Sequence, residues 1–165
     1  MRYHDILKDD MRNGDGLRVV LFVSGCEHGC KGCHNRVTWK PTSGIEFDAD
    51  ALLEICTELE KEWVSGITLS GGDPLYPGNR DEITLLCKKL KESYPDKTIW
   101  MYTGYEYKDV CNLEVMKYVD VLVDGKFVED LADVTYPWAG SRNQKVIRVQ
   151  YYNCDDPGGL VLVKK

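Results

Sequence analysis

Three cysteines fall within one short stretch of this chain, Cys26-Glu27-His28-Gly29-Cys30-Lys31-Gly32-Cys33, in the spacing C-x3-C-x2-C. The run before it, Leu17-Arg18-Val19-Val20-Leu21-Phe22-Val23, is apolar and reads as a buried strand. Ser24 and Gly25 end that run. The thiols therefore sit on a loop at the C-terminal end of a strand, where α/β proteins place their ligands.

Three close thiols need a physical explanation. A disulfide framework fits poorly: the chain has 7 cysteines, an odd number, and Met1 to Asp10 is polar, so no secretory signal is expected. A structural zinc site needs four ligands. The fourth would have to be His28, His34 or a distant cysteine, and no second C-x2-C or H-x3-H pair supplies it. A [4Fe–4S] cluster normally takes four thiolates. Three from one loop would leave one iron open to a substrate or cofactor. Spacing alone favours iron–sulfur, with zinc next and a coincidental turn last.

The chain of 165 residues is long enough for one domain, 1–165, with a proper core. Its net charge of −6, with no basic block, argues against nucleic acid as a partner. No apolar run is long enough to span a membrane. The free thiols suit a reducing cytoplasm.

Beyond the thiol loop, strands and helices alternate. Met1–Gly16 reads as a polar lead-in and 35–47 as loop, broken by Pro41, Ser43 and Gly44. A helix is expected over about 50–63, with Asp48 as N-cap and Leu52, Ile55, Cys56, Leu59 and Trp63 inward. Strand 66–70 ends in Gly71-Gly72-Asp73-Pro74. A second helix spans about 80–93, burying Ile83, Leu86, Cys87 and Leu90. Strand 97–102 follows, then a third helix over about 107–118, strand 120–123 and strand 145–150. Leu160–Val163 reads as a sixth or edge strand after a turn at 155–159, and Cys154 has no partner motif. Cys56, Cys87 and Cys111 read as structural. The rhythm implies right-handed crossovers and a mostly parallel sheet. The chain is too short for the roughly 250 residues of an eight-fold barrel. The expected fold class is α/β, an incomplete TIM-type barrel of about five to six mostly parallel strands with helices outside.

In a parallel sheet, the thiol loop, Gly71–Asp73, Thr103-Gly104 and Asp124-Gly125 all leave strands on one edge. Gly71-Gly72-Asp73-Pro74 has a plain reading as a tight turn. Its functional reading is that absent side chains let a ligand lie against the strand end, with Asp73 offering a carboxylate to a cation. No Ser–His–Asp set or carboxylate pair stands out, so no catalytic side chain is expected.

The loop C-x3-C-x2-C after a first strand resembles the cluster loop of the radical S-adenosylmethionine superfamily. Three stretches narrow the resemblance to the anaerobic ribonucleotide reductase activating enzymes: Cys30-Lys31-Gly32-Cys33-His34-Asn35 followed by Thr38-Trp39, Ser70-Gly71-Gly72-Asp73-Pro74-Leu75, and Gly140-Ser141-Arg142-Asn143-Gln144 before Lys145-Val146-Ile147. Many superfamily members carry an aromatic residue where this chain has Gly32; the activating enzymes resemble this chain there. The position after the third cysteine, often aromatic in that subgroup, is His34.

The resemblance implies one [4Fe–4S] cluster per chain, held by Cys26, Cys30 and Cys33. It also implies S-adenosylmethionine as cofactor. Asp73 and the Gly71-Gly72 backbone would hold its ammonium, and backbone around Gly32, Cys33 and His34 would touch its adenosyl end. Reductive cleavage would yield methionine and a 5′-deoxyadenosyl radical, which takes a hydrogen from a backbone glycine. The implied partners are the large subunit of anaerobic ribonucleoside-triphosphate reductase and an electron donor of the flavodoxin or ferredoxin type. Alternatives are an activase of another glycyl radical enzyme, such as a formate-lyase type, or a small-molecule radical enzyme. From another class come an electron-transfer iron–sulfur protein and a zinc module. Arg142 is left between a cofactor carboxylate and the partner protein.

Overall fold

The computed structural model describes residues 1–149. The strands are β1 (Arg2–Asp10), β2 (Leu17–Val23), β3 (Ile45–Glu46), β4 (Val64–Gly71), β5 (Thr98–Tyr102), β6 (Val121–Asp124) and β7 (Lys145–Arg148); the helices are α1 (Ala49–Leu59), α2 (Arg80–Ser93) and α3 (Tyr107–Val110). One sheet runs β3-β1-β2-β4-β5-β6-β7. Its centre, β2-β4-β5-β6, is parallel. β1, β3 and β7 add antiparallel flanks. The α/β class therefore holds, while five or six strands of a partial barrel give way to seven strands in an open, mixed sheet.

β1 is the strand that the sequence conceals. Only Tyr3 and Ile6 are buried along it, and a register shift between Tyr3 and Asp5 puts them three apart. A bulge of this kind erases the period-2 pattern by which a half-exposed strand is recognised. Where β2 and β4 are buried on both faces, the apolar run is nearly continuous and the boundaries are read closely.

The larger core lies between the sheet and the helices. α1 starts at Asp48, whose carboxylate accepts from Asp50 N–H and Ala51 N–H, and buries Ala51, Ile55 and Leu59. It stops at Leu59, so Trp63 leaves the helical register and stands 61% exposed, contrary to expectation. α2 matches its expected span and buries Ile83, Leu86, Cys87 and Leu90. The expected third helix is broken: after α3, Leu113 turns extended (φ −69°, ψ 140°) and a 3-10 turn follows at Glu114–Lys117. Asn112 at the break favours turns over helix. A smaller cluster on the opposite face joins Trp100, Val121, Val123 and Val146 to Trp138. Expectations for Cys154, the turn at 155–159 and a strand at 160–163 lie outside the described residues.

Candidate metal and cofactor site

The parallel centre brings four strand ends to one edge. The loop after β2 is stitched to its neighbours by main-chain bonds: Gly25 N–H to Thr38 O (2.8 Å), Cys26 N–H to Trp39 O (3.0 Å), Gly72 N–H to Val23 O (2.8 Å) and Asp73 N–H to Gly25 O (2.7 Å). Buried Asn79 adds a bond to Ser24 O at 2.8 Å. Gly72 is needed here because a Cβ would sit 2.4 Å from Gly25 O and 2.9 Å from Thr38 O. The missing side chains of the Gly-Gly pair thus make room for the chain itself, a reason the sequence reading did not give.

Cys26, Cys30 and Cys33 open into one recess of about 140 Å³, with Trp39, Gly71, Gly72 and Phe127 among its walls. All three are free thiols, half-buried. Cys33 Sγ accepts from Asn35 N–H and Trp39 Nε1–H, each at 3.4 Å. Such donors stabilise a thiolate and tune any cluster it holds. Burial pushes the Cys26 thiol above its ordinary range. Among the described residues, no group of His, Cys, Asp and Glu converges on a single ion. Three thiols on one recess, with N–H donors to the Cys33 sulfur, are the soft donor set that an iron–sulfur group takes. The residues present therefore fit a [4Fe–4S] cluster, with Cys26, Cys30 and Cys33 as the ligands they could supply.

Asp73 lies behind the recess, 1% exposed. Its carboxylate accepts from Leu75 N–H (2.8 Å), Thr103 Oγ1–H (3.0 Å) and Gly104 N–H (2.9 Å), and pairs with His28 Nε2 at 2.5 Å. A wider cleft of about 750 Å³ adjoins, lined by Glu27, Glu106, Asp109, Asp124, Lys126 and Lys145 among others. Burial raises the pKa of Asp124 there, although its carboxylate accepts from Tyr107 N–H and Lys145 N–H.

Residues 12–147 match the family described as a 4Fe-4S single cluster domain. The chain is 47% identical over 146 residues to the anaerobic ribonucleoside-triphosphate reductase-activating protein of Enterobacteria phage T4, covering 88% of this chain and 93% of that protein. It is 43% identical over 150 residues to the protein of that name from Escherichia coli K12, covering 88% and 97%. For Pasteurella multocida the identity is 40% over 158 residues, covering 92% and 100%.

The chain belongs to the family of anaerobic ribonucleoside-triphosphate reductase-activating proteins.

In this family member the site residues expected from sequence divide into two groups. Cys26, Cys30, Cys33, Gly71 and Gly72 line the recess, with Asp73 directly behind it. Gly32 and His34 do not line it: Gly32 lies against Glu129, and exposed His34 packs its ring toward Phe127 at 5.8 Å. The sequence offers His28 as a metal ligand, Trp39 within a family motif and Thr103 at a converging strand end, without the contacts they make here; Phe127 carries no signal in the sequence, and the four gather only through the sheet.

The Gly140–Gln144 stretch acquires a structural role. Gln144 Oε1 accepts from Gly140 N–H at 2.9 Å and Ser141 N–H at 3.1 Å, while its amide donates to Gly125 O at 2.9 Å. That staple shapes the segment after β6, whose Phe127 closes the recess and whose Glu129 pairs with Lys31 at 3.0 Å. Arg142 is exposed and paired with Asp133 at 2.7 Å. Cys56 is half-buried and Cys87 buried, both free. Cys111 is disulfide-bonded, which no spacing in the sequence signals.

Proposed function

We propose that this chain is a radical S-adenosylmethionine activase that installs a glycyl radical on anaerobic ribonucleoside-triphosphate reductase. The observation that carries the reading is the shared recess of three free thiols at the ends of β2, β4 and β5, beside a buried carboxylate. Cys26, Cys30 and Cys33 would hold a [4Fe–4S] cluster, which would supply the electron for reductive cleavage of S-adenosylmethionine and so the means of taking a hydrogen from the partner's glycine.

The chain's own residues hold, shape and shield. Asn35 and Trp39 N–H groups stabilise charge on the Cys33 sulfur. Gly71 and Gly72 expose main chain at the recess wall, and Phe127 and Tyr102 add aromatic walls to it. The adjoining cleft gives a polar approach for a ligand or a partner's loop. A flavodoxin- or ferredoxin-type donor and a reducing cytoplasm complete the proposal. Among the described residues no helix is long and apolar enough to cross a membrane.

The test is anaerobic reconstitution with iron and sulfide, then incubation with S-adenosylmethionine, a reductant and purified reductase. A glycyl-radical signal on the reductase, lost when Cys30 is replaced by Ala, is the expected result. Cluster assembly in Cys30→Ala, or cofactor cleavage without any radical on the reductase, would overturn it.

A further inference from the structure

The Asp73 carboxylate is already full. A carboxylate offers about four lone-pair positions. The donors from Leu75, Thr103, Gly104 and His28 take them, and at 1% exposure the group has no water to exchange. A ligand ammonium can reach Asp73 only if one donor leaves. Leu75 and Gly104 give main-chain N–H groups fixed by the turns that hold them. Thr103 is pinned by its own N–H, bonded to Val123 O at 2.9 Å. His28 alone reaches Asp73 by a long side chain from another loop.

The His28 ring is also a partition. It lies where Gly104 lacks a side chain, its Cδ2 2.3 Å from the place a Cβ would take. It packs edge-on against Tyr105, centroids 4.6 Å apart. His28, Gly104 and Gly125 line both the thiol recess and the wide cleft. The recess, at about 140 Å³, falls below the roughly 300–1,000 Å³ of ordinary ligand pockets. Main-chain bonds at Gly25 and Cys26 anchor the loop without the ring, so the ring can leave while the loop stays.

We propose that His28 is a built-in occupant of Asp73: its imidazole holds the position on the carboxylate that the ammonium of an amino-acid ligand would take, and ligand entry swings it out, joining recess to cleft. This rests on the S-adenosylmethionine reading above. The contact needs only an imidazole N–H, charged or neutral, and His28 is here a positioning residue that acts through Asp73.

Iron-loaded protein with its cluster oxidised, so that no cleavage occurs, is titrated calorimetrically with S-adenosylmethionine. His28→Ala should bind about tenfold tighter, because a hydrogen bond to a charged group no longer has to break. His28→Gln, which keeps a side-chain donor, should stay near wild type. Equal or weaker binding by fully iron-loaded His28→Ala overturns the proposal. If that variant fails to hold iron, the wild type decides. Deuterium exchange at the imidazole C2 of His28, read by mass spectrometry with His4 as internal reference, should quicken on saturation; unchanged or slower exchange overturns the proposal. No binding at all by iron-loaded wild type would instead overturn the functional reading, and this inference with it.

Discussion

Asp73 and the cysteines show how environment separates residues that look alike in sequence. As a turn residue before Pro74, Asp73 would tolerate Asn, itself a good turn former. Buried and fully bonded, it should not. Asp73→Asn turns one acceptor into a donor facing the N–H of Leu75 or Gly104. An unsatisfied buried group costs about 1–3 kcal/mol. Denaturant unfolding of the cluster-free protein should show that loss, and an unchanged midpoint would return Asp73 to the role of a simple turn. Cys87 contrasts with the loop thiols. It is fully buried under α2, and burial pushes its thiol up to about 12. Cys87→Ala should cost about 1 kcal/mol, the scale of a small core deletion, and leave iron content intact, whereas Cys26→Ala should remove it. Trp39 acts more finely through its N–H on the Cys33 sulfur. Trp39→Phe should keep the cluster but lower its reduction potential, since the lost donor stabilises the more negative, reduced state. A potentiometric titration that finds the potential unmoved would show this contact to be idle.

Among the elements, β2 carries an oddity inside its apolar run. Arg18 is fully buried beneath the sheet. Its guanidinium donates to Thr68 Oγ1 (2.8 Å), Ile67 O (2.7 Å), Thr98 O (2.8 Å) and Asp15 O (3.0 Å), and lies 5.4 Å from the Trp100 ring centre. Burial lowers its pKa to about 10, so it stays charged near neutrality. It clips β2, β4 and β5 together at the end opposite the thiols. Arg18→Met should cost at least about 2 kcal/mol, because several buried acceptors lose their donor together; a stability within error of wild type would show that water or relaxation replaces the clip. The sequence made β2, β4, α2 and the Asp48 cap legible because each is set by local pattern. It hid β1 behind a bulge, and it overran α1 and the third helix where apolar residues continue past the helix end. The thiols were legible from their spacing. Phe127 was not, nor were the contacts of His28 and Thr103, because only the parallel register of β2, β4, β5 and β6 brings their loops together.

At the scale of the molecule, the site sits on a frame that does not depend on it. The main core joins the sheet to α1 and α2, and the largest fully buried side chains, Leu21, Ile55, Leu69, Ile83 and Met101 among them, belong to strands and helices rather than to the thiol loop. The loop's main chain is bonded to Thr38 and Trp39 without the help of sulfur. Among the described residues no buried side-chain polar atom lacks a partner, so no group in the frame waits for a metal to satisfy it. This differs from small metal domains, whose folding free energy is the binding free energy of the ion. The cluster-free protein should therefore keep its far-UV circular dichroism and unfold in one cooperative step. Loading should raise the midpoint only through binding to the native state, by an amount that grows with occupancy. Cys26→Ala, unable to load, should unfold where the cluster-free wild type does. Loss of the far-UV signal when iron is stripped anaerobically would show instead that the thiol loop and its cluster hold the sheet ends together.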